Sequence, residues 1–456
     1  MAKLNFSNID MTKGTPWKGI LAFSIPMLIG NIAQQLYSTV DSIVVGQYVG
    51  DNALAAVGSS MPILNMLLVL FIGISAGATV MVSQYFGARQ SEDLSGTIGN
   101  CITITALCSI FLMIVTPPII KPLLEMLNTP KSIIDDCTSY LTISMFGIAG
   151  VAYYNILGGI LRGLGDAIYP LVFLIVATIV NIFLDILFVT QFDMGVAGVA
   201  YATIIAQAIS ATLCLVRLAN MKDLFNLTIK DLKTKKVYVS KVVKLGLPSG
   251  LTQAIMSSAM IIVQSLTNSF GELFIAANII IMRVDGFAMM PNFSFGTAMT
   301  TYAGQNVGAK QIDRVSKGAK QGTLIAVVCS TVITACILVF GKYLMAIFTK
   351  TPELVDMSNR LMRILAIGYI AMAVTQSLSG IMRGAGDTMT PMWISLITTV
   401  AMRIPLAYGI SFLTRTPELP YGIKECIQIS LVCTWVFGAI LTAIFYAKGK
   451  WKNKAI

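Results

Sequence analysis

Residues 158–170 read GGILRGLGDAIYP, and residues 379–391 read SGIMRGAGDTMTP. The two stretches match at Arg, Gly, Gly, Asp and Pro with an offset of 221 residues. A second pair keeps this offset, since QYFGARQ at 84–90 corresponds to QNVGAKQ at 305–311. Because both motifs are equally spaced in the two parts of the chain, we infer an internal duplication. Repeats of this kind are typical of transporters built from two lobes.

The composition indicates a membrane protein. Of the 456 residues, 56% are hydrophobic and only 12% are charged, against about 25% charged residues in soluble domains. Stretches without any charge approach the roughly 20 apolar residues that a membrane-spanning helix needs; they include residues 20–38, 63–83, 171–181, 196–215 and 324–341. The spacing of charges and turn residues predicts an all-α polytopic membrane protein with twelve transmembrane helices.

The duplication divides these helices into two six-helix lobes, at 1–219 and 242–456, with a Lys-rich linker at 220–241. An even number of spans in each lobe predicts a pseudo-twofold axis along the membrane normal. We expect the linker to be cytoplasmic, solvated and near the lipid headgroups.

The basic residues predict the topology. The connections on the side of the N-terminus hold 22 of the 32 Lys and Arg residues, which places both termini in the cytoplasm. The net charge of +11 lies mainly in these short flanks, so nucleic acid is not the expected partner. The expected partners are the lipid bilayer and small organic cations, and we expect a monomer in a bacterial plasma membrane.

Acidic residues within the spans are the first candidates for a functional site, because a charged side chain at mid-bilayer costs about 2.5–3.5 kcal/mol. Three qualify: Asp41, Asp185 and Asp285. The chain has no histidine, so any proton chemistry falls to carboxylates. Asp285 lies two residues after Arg283, which suggests a structural charge pair. Asp41 ends a polar stripe on one helix face, formed by Asn31, Gln34, Ser38 and Asp41.

Asp185 shares its helix face with Asn181, and Thr203 falls at a similar depth in the next span. Together with Asp41 and Gln34, these side chains could hold a sodium ion through oxygen ligands or share a proton. The alternative is that neighbouring amides satisfy Asp41 and Asp185 separately.

Other polar and kinked positions have structural as well as functional interpretations. The repeated loops contain Arg162 with Asp166 and Arg383 with Asp387, which form either loop-capping ion pairs or part of a cytoplasmic gate. Pro26 predicts a kink in the first span, which is either fixed or a hinge.

The chain resembles the multidrug and toxic compound extrusion (MATE) family of cation-coupled efflux transporters. The residues that carry the resemblance are 10–58, the QYFGARQ and GQNVGAK loops and the repeated RGxGD turns. In the DinF-like branch of this family, a cation site in the N-terminal lobe uses an Asp, an Asn–Asp pair and a Thr, and the resemblance gives these roles to Asp41, Asn181, Asp185 and Thr203. It also implies bending at Pro26 coupled to protonation.

The corresponding C-terminal helices carry amides where the NorM-like branch has acids, which argues against an acidic cation site in that lobe. The repeat offset matches Ile182 with Arg403, so the second lobe carries a base on that helix. Arg403 either approaches the cavity or reaches a headgroup or a neighbouring carbonyl.

The 25 methionines suggest adaptable cavity walls, because thioethers repack and aromatic faces attract cations. The candidate substrate residues are Met256, Met260, Phe287, Met289 and Met290. The alternative is that these side chains face lipid or neighbouring helices.

These features predict a secondary antiporter, not an enzyme. It would export amphipathic, cationic organic compounds by alternating access, driven by an inward H⁺ or Na⁺ gradient. No cofactor is expected, no metal beyond a possible sodium ion, and no ATP-binding GxxxxGK[ST] motif occurs. The alternative function is a lipid-linked oligosaccharide flippase of the same superfamily.

Overall fold

The chain is helical throughout the part that the structure describes. A computed structural model describes residues 9–127 and 129–456, apart from the side chains of Ser38 and Asp51. These residues form fifteen α-helices and no strand. In chain order the helices are α1 Pro16–Val44, α2 Asp51–Gly87, α3 Ser91–Val115, α4 Pro117–Met126, α5 Ile134–Phe146, α6 Ile148–Gly163, α7 Ile168–Thr190, α8 Gly195–Ala219, α9 Lys236–Ser269, α10 Glu272–Gly308, α11 Ile312–Ala346, α12 Pro352–Gly384, α13 Met389–Leu396, α14 Ile404–Leu413 and α15 Cys426–Ala447.

Two π-helical segments interrupt the regular helices. Val45–Val49 follows α1 directly, and Ile397–Arg403 joins α13 to α14. The second segment lies inside one long span, Met389–Leu413. Both segments therefore extend membrane helices with a wider turn.

The span count agrees with the sequence prediction. In the described residues, eleven helical segments are long and apolar enough to cross a membrane. The bent pair of α5 and α6, with 51° between the two helices, makes a twelfth if it counts as one span. The predicted all-α polytopic fold is confirmed.

The chain divides into two compact units whose bounds differ from the predicted lobes. Unit 1 comprises Met1–Asp10 and Ile29–Gly250, and unit 2 comprises Met11–Leu28 and Leu251–Ile456. The first part of α1 therefore belongs to unit 2, and the linker with the first part of α9 belongs to unit 1.

Close backbone packing explains why α9 begins in unit 1. A Cβ atom at Gly77 of α2 would lie 2.2 Å from the carbonyl oxygen of Val242, and one at Gly246 would lie 2.2 Å from the carbonyl oxygen of Gly73. Glycine at these positions lets α2 and α9 touch along their backbones. Neither the hydropathy of α9 nor its charges reveal this contact.

The segment between α8 and α9 is fixed to α3, whereas the sequence suggested a solvated linker. The amide of Asn100 donates to the carbonyl of Asp231 at 3.4 Å and accepts from the backbone N–H of Lys235 at 2.7 Å. The hydroxyl of Thr103 donates to the carbonyl of Leu232 at 2.6 Å. The backbone is therefore held in unit 1, although the lysine side chains of the segment are exposed.

The internal repeat is visible in equivalent contacts of the two units. In unit 1 the thiol of Cys137 lies 3.5 Å from the carbonyl oxygen of Ala56, and in unit 2 the hydroxyl of Ser358 lies 3.5 Å from that of Ala277. The offset of 221 relates Cys137 to Ser358 and Ala56 to Ala277. The duplication therefore preserved helix packing as well as the loop motifs.

Candidate functional site

Asp41 lies near the end of α1 on its buried face. Its side chain is 5% exposed, and that of Tyr37, one turn earlier, is 7% exposed. The π-helical segment Val45–Val49 begins four residues later. Because π-helical turns are rare and frequent at functional sites, the local backbone agrees with a binding role for Asp41.

The other predicted members of the cation site come from α7 and α8 of the same unit. Asn181 and Asp185 lie one turn apart on α7, and both are fully buried. The amide nitrogen of Asn181 donates to the hydroxyl oxygen of Thr203 on α8 at 3.5 Å. The packing of α7 against α8 thus brings three of the predicted side chains together.

Asp41 and Asp185 are close enough to interact directly. Tyr37 lies within electrostatic range of both carboxyls and within hydrogen-bonding reach of Gln207. Tyr140 of α5 also faces the two carboxyls. We call these side chains, with Asn181 and Thr203, the unit 1 cluster.

Sequence reasoning missed three members of the unit 1 cluster. Tyr37 precedes Asp41 by four residues, and Gln207 follows Thr203 by four, so helical spacing could have found both. Tyr140 stands in the short α5, and no local pattern marks it. Its position becomes clear only from the packing of α5 against α8.

Gln34 lies outside the buried cluster. Gln34 is exposed and precedes Asp41 by seven residues, or about 10 Å of helix rise. The side chain of Ser38 lies outside the described part of the chain.

The unit 1 cluster is rich in acceptor oxygens that lack a hydrogen-bond partner within the protein. Among the groups that interact with the two carboxyls in the described chain, none is Lys or Arg. Buried polar atoms without partners are uncommon in native proteins and each calls for an explanation. The oxygens concerned are Oδ1 of Asp41, Oδ1 of Asn181, both carboxylate oxygens of Asp185, Oε1 of Gln207 and the phenol oxygen of Tyr37.

Two acids that share a buried site without a base need an external positive charge. One proton between Asp41 and Asp185 would remove one charge and supply the donor that a contact between two carboxyls requires. A sodium ion would instead take its ligands from the carboxylate and amide oxygens. The geometry therefore fits a monovalent cation, and the oxygens available to hold it include those of four predicted residues: Asp41, Asn181, Asp185 and Thr203.

Unit 2 contains a cavity of about 360 Å³, which we call the unit 2 cavity. Three of the five predicted substrate residues line it: Met256, Met260 and Met289. Phe287 is exposed, Met290 is buried in the helix packing, and neither is among the lining residues. Phe287 and Met290 lie on other faces of α10 than Met289, and a substrate-binding role for them stays a prediction.

The charged side chains of unit 2 meet at this cavity. Asp285 accepts a hydrogen bond from the phenol of Tyr369 at 2.8 Å and lies within electrostatic range of Arg403. Arg403 ends the π-helical segment and lines the cavity, which decides between the alternatives for its side chain. The predicted pairing of Asp285 with Arg283 is wrong. Residues two apart on a helix do not face each other, and Arg283 is exposed.

The repeated loops are capped, but not by the predicted ion pairs. Asp166 pairs with Arg217 of α8 at 3.1 Å, not with Arg162, and it accepts the backbone N–H of Tyr169 at 3.2 Å. In the second loop, Asp387 accepts from the hydroxyl of Thr390 at 2.7 Å and from its backbone N–H at 3.3 Å, and no ion pair with Arg383 is seen in the described residues. Both aspartates therefore cap the start of the next helix.

Pro26 lies within α1, two residues before the end of the part that belongs to unit 2. Pro248 lies within α9, two residues before the end of the part that belongs to unit 1. The helix continues through both prolines. A hinge at Pro26 stays a prediction.

Repeated halves of membrane-spanning helices, together with a buried carboxylate pair, define a polytopic membrane transport protein. The sequence profile of the MatE family matches both halves, at residues 26–187 and 248–409. The chain belongs to the MatE family, whose members are transporters and not enzymes. The resemblance seen in the sequence is confirmed.

Individual relatives match over nearly the whole chain. A probable multidrug resistance protein of Bacillus subtilis (strain 168), YoeA, is 27% identical over 98% of this chain and 96% of its own length. A second one from the same organism, YpnP, is 29% identical over 97% of each chain. A crystal structure of a MATE transporter in complex with MaL6 aligns with a TM-score of 0.90 at 23% identity, over 98% of this chain and 99% of that chain. These relatives support multidrug export.

Proposed function

We propose that this protein is a secondary antiporter that exports amphipathic organic compounds with a cationic group in exchange for inward H⁺ or Na⁺. The observation that carries the proposal is the unit 1 cluster, in which Asp41 and Asp185 are buried next to each other without a base. We further propose that it acts in a bacterial plasma membrane with both termini in the cytoplasm, as the distribution of Lys and Arg indicates.

The cost of burying charge supplies the coupling. Two ionised carboxyls in a low-dielectric site repel each other, and desolvation penalises both. Binding a proton or a sodium ion relieves this penalty, so the helices that carry Asp41 and Asp185 pack together most favourably when the cation is bound. A conformational equilibrium that depends on cation binding can be driven by a cation gradient.

The unit 2 cavity is the proposed cargo site. Its volume lies at the lower end of the range of about 300–1,000 Å³ for small-molecule sites. The thioethers of Met256, Met260 and Met289 give it walls that can repack around different apolar bodies. This supports a broad substrate range for export.

The test measures efflux of ethidium from proteoliposomes under an imposed pH gradient and, separately, under an imposed sodium gradient. Wild-type protein should accelerate efflux in one of the two arms. Asp41→Asn and Asp185→Asn should reduce the rate to that of liposomes without protein, because each removes an acidic cation ligand.

Asp193→Asn is the matched control. Asp193 lies in the exposed loop after α7 with φ of 51°, a conformation that Asn tolerates as well as Asp. This variant should keep the wild-type rate. If Asp41→Asn or Asp185→Asn inserts normally and keeps gradient-driven efflux, the proposal is wrong, and a wild-type protein that responds to neither gradient would favour a flippase.

A further inference from the structure

Two opposite charges face the unit 2 cavity without closing on each other. Asp285 and Arg403 both line it and lie within electrostatic range. In the described structure no nitrogen of Arg403 comes within 4.0 Å of a carboxylate oxygen of Asp285. Opposite charges in a low-dielectric interior gain most from a direct, hydrogen-bonded pair. The separation therefore leaves both groups available to a ligand.

Asp285 is held in place by a rigid neighbour. The phenol of Tyr369 donates to one of its carboxylate oxygens at 2.8 Å. Tyr369 is itself fully buried, and its ring packs against Trp435 with 5.9 Å between centroids. Since a carboxylate offers about four acceptor positions, Asp285 keeps most of its capacity for a cationic group.

The side chain of Arg403 has a hydrogen-bond donor that is not paired. Its Nε atom is buried and has no hydrogen-bond partner in the protein. The π-helical segment that ends at Arg403 also places Thr398 and Thr399 in the cavity wall. A guanidinium binds a carboxylate through two parallel N–H bonds, and such a ligand would satisfy the buried donor.

The charge balance of the cavity restricts the class of ligand. A simple organic cation would neutralise Asp285 but would meet the positive charge of Arg403, so it should bind more weakly than a zwitterion. A simple anion would meet the opposite conflict. An amphipathic zwitterion satisfies both charges, while its apolar body packs on the methionines and on Trp435. The unit 1 cluster differs, since it has two acids and no base.

We propose that the unit 2 cavity binds amphipathic zwitterions, with the anionic group of the ligand on Arg403 and its cationic group on Asp285. This inference rests on the proposed export function only for the identification of the ligand as cargo. The preference for a zwitterion over a cation follows from Arg403 and Asp285, so its test does not require a cation gradient.

The experiment compares two dyes that differ in one charge. The first is a rhodamine with a free benzoate, which is zwitterionic at neutral pH, and the second is its methyl ester, a monocation. Dissociation constants are measured by fluorescence polarisation with the full-length protein in detergent micelles, without a gradient. We expect the wild-type protein to bind the free acid about tenfold more tightly, since charge-assisted hydrogen bonds are the strong ones.

Arg403→Gln should abolish this preference by weakening binding of the acid, while the ester binds as before or more tightly. Arg403→Lys keeps the charge but loses the bidentate guanidinium, so the preference for the acid should shrink without reversing. If Arg403→Gln does not fold, Arg403→Lys still provides the test. Arg283→Gln removes a positive charge two residues from Asp285 but outside the cavity, and it should keep the preference.

Asp193→Asn, which lies outside both the unit 1 cluster and the unit 2 cavity, should keep the preference as well. The proposal is overturned if the wild-type protein binds the ester as tightly as the acid, or if the folded Arg403 variants weaken both dyes equally. If the wild-type protein shows no gradient-driven efflux in the liposome assay but keeps the dye preference, the coupling proposal alone is refuted.

Discussion

Among the described ion pairs, that between Arg217 and Asp166 is the most buried, and its removal tests whether the repeated loop is a cap or a gate. The Asp166 side chain is fully buried, while that of Arg217 is 21% exposed. Both Nε and Nη2 of Arg217 donate to Oδ2 of Asp166, at 3.2 and 3.1 Å. The guanidinium also lies 3.9 Å from the centroid of the Tyr169 ring. Arg217→Ala removes all three interactions.

The expected loss follows from what remains around Asp166. Removing one partner of a buried pair costs about 3–5 kcal/mol, and the partial exposure of Arg217 and the remaining N–H of Tyr169 favour the low end. The lost contact with the Tyr169 ring adds about 1 kcal/mol. We therefore expect the free energy of unfolding to fall by about 3–4 kcal/mol at neutral pH.

This loss should depend on pH. Burial raises the pKa of Asp166, while the backbone N–H of Tyr169 and the charge of Arg217 oppose the rise. Without Arg217 the pKa of Asp166 in the folded protein rises further. Since Asp166 titrates alike in both unfolded chains, the deficit of Arg217→Ala should grow as the pH rises through the folded pKa of Asp166, which lies above the unfolded value of about 4. At lower pH only the loss of the ring contact should remain.

The assay is unfolding by SDS in dodecyl maltoside micelles, followed by far-UV circular dichroism at several pH values. Arg360→Ala is the matched control, because Arg360 pairs with Glu425 at 2.9 Å but is 62% exposed and should lose less than about 1 kcal/mol. Adding Asp166→Asn to Arg217→Ala should recover stability by removing the buried charge. A deficit that is the same at every pH, or a double variant no more stable than Arg217→Ala, would refute the reasoning. A change in efflux without a change in stability would identify a gate.

Two further predictions each compare a variant with a matched control. Gly77→Ala forces the α2 and α9 backbones apart, because its Cβ would lie 2.2 Å from the carbonyl oxygen of Val242. The free energy of unfolding should fall by about 1–3 kcal/mol in the same assay. A Cβ at Gly58 of α2 would have no atom within 4 Å, so Gly58→Ala should cause no comparable loss. Gln207→Leu removes an acceptor oxygen and should raise the cation concentration needed for half-maximal efflux several-fold. Gln428→Leu, at the position related by the repeat, should leave that concentration unchanged. Equal effects of the two variants would contradict a cation site confined to unit 1.

The sequence was sufficient for the parts of the site that follow helical spacing. Asn181 and Asp185 share one face of α7, and depth arithmetic brings Asp41 and Thr203 to the same level. Tyr140 could not be predicted, because its place depends on how the short α5 packs. The approach of α9 to α2 was also hidden, because it depends on glycine positions that no hydropathy pattern marks.

The unit 2 charges show a second limit of sequence reasoning. Asp285 was matched with its neighbour Arg283, although its partners Tyr369 and Arg403 lie 84 and 118 positions further along the chain. Helical periodicity extends only over neighbouring turns, whereas Tyr369 and Arg403 stand on other helical segments of the chain. Such pairings follow from tertiary packing alone.

The two units share a repeated scaffold but differ in the charges that it carries. Gln207 and Gln428 are equivalent under the offset of 221, and both are buried with an unpartnered amide oxygen. By the same offset Asp185 corresponds to Leu406 and Arg403 to Ile182, so the acids and the base are not shared. An unpaired charge is costly at membrane depth. The two acids of unit 1 therefore favour a bound cation whenever their carboxyl groups are buried. The acid and base of unit 2 balance each other, so its cavity can release a ligand without that penalty. We therefore expect the conformational equilibrium to depend more on cation binding in unit 1 than on the charge of the ligand in unit 2.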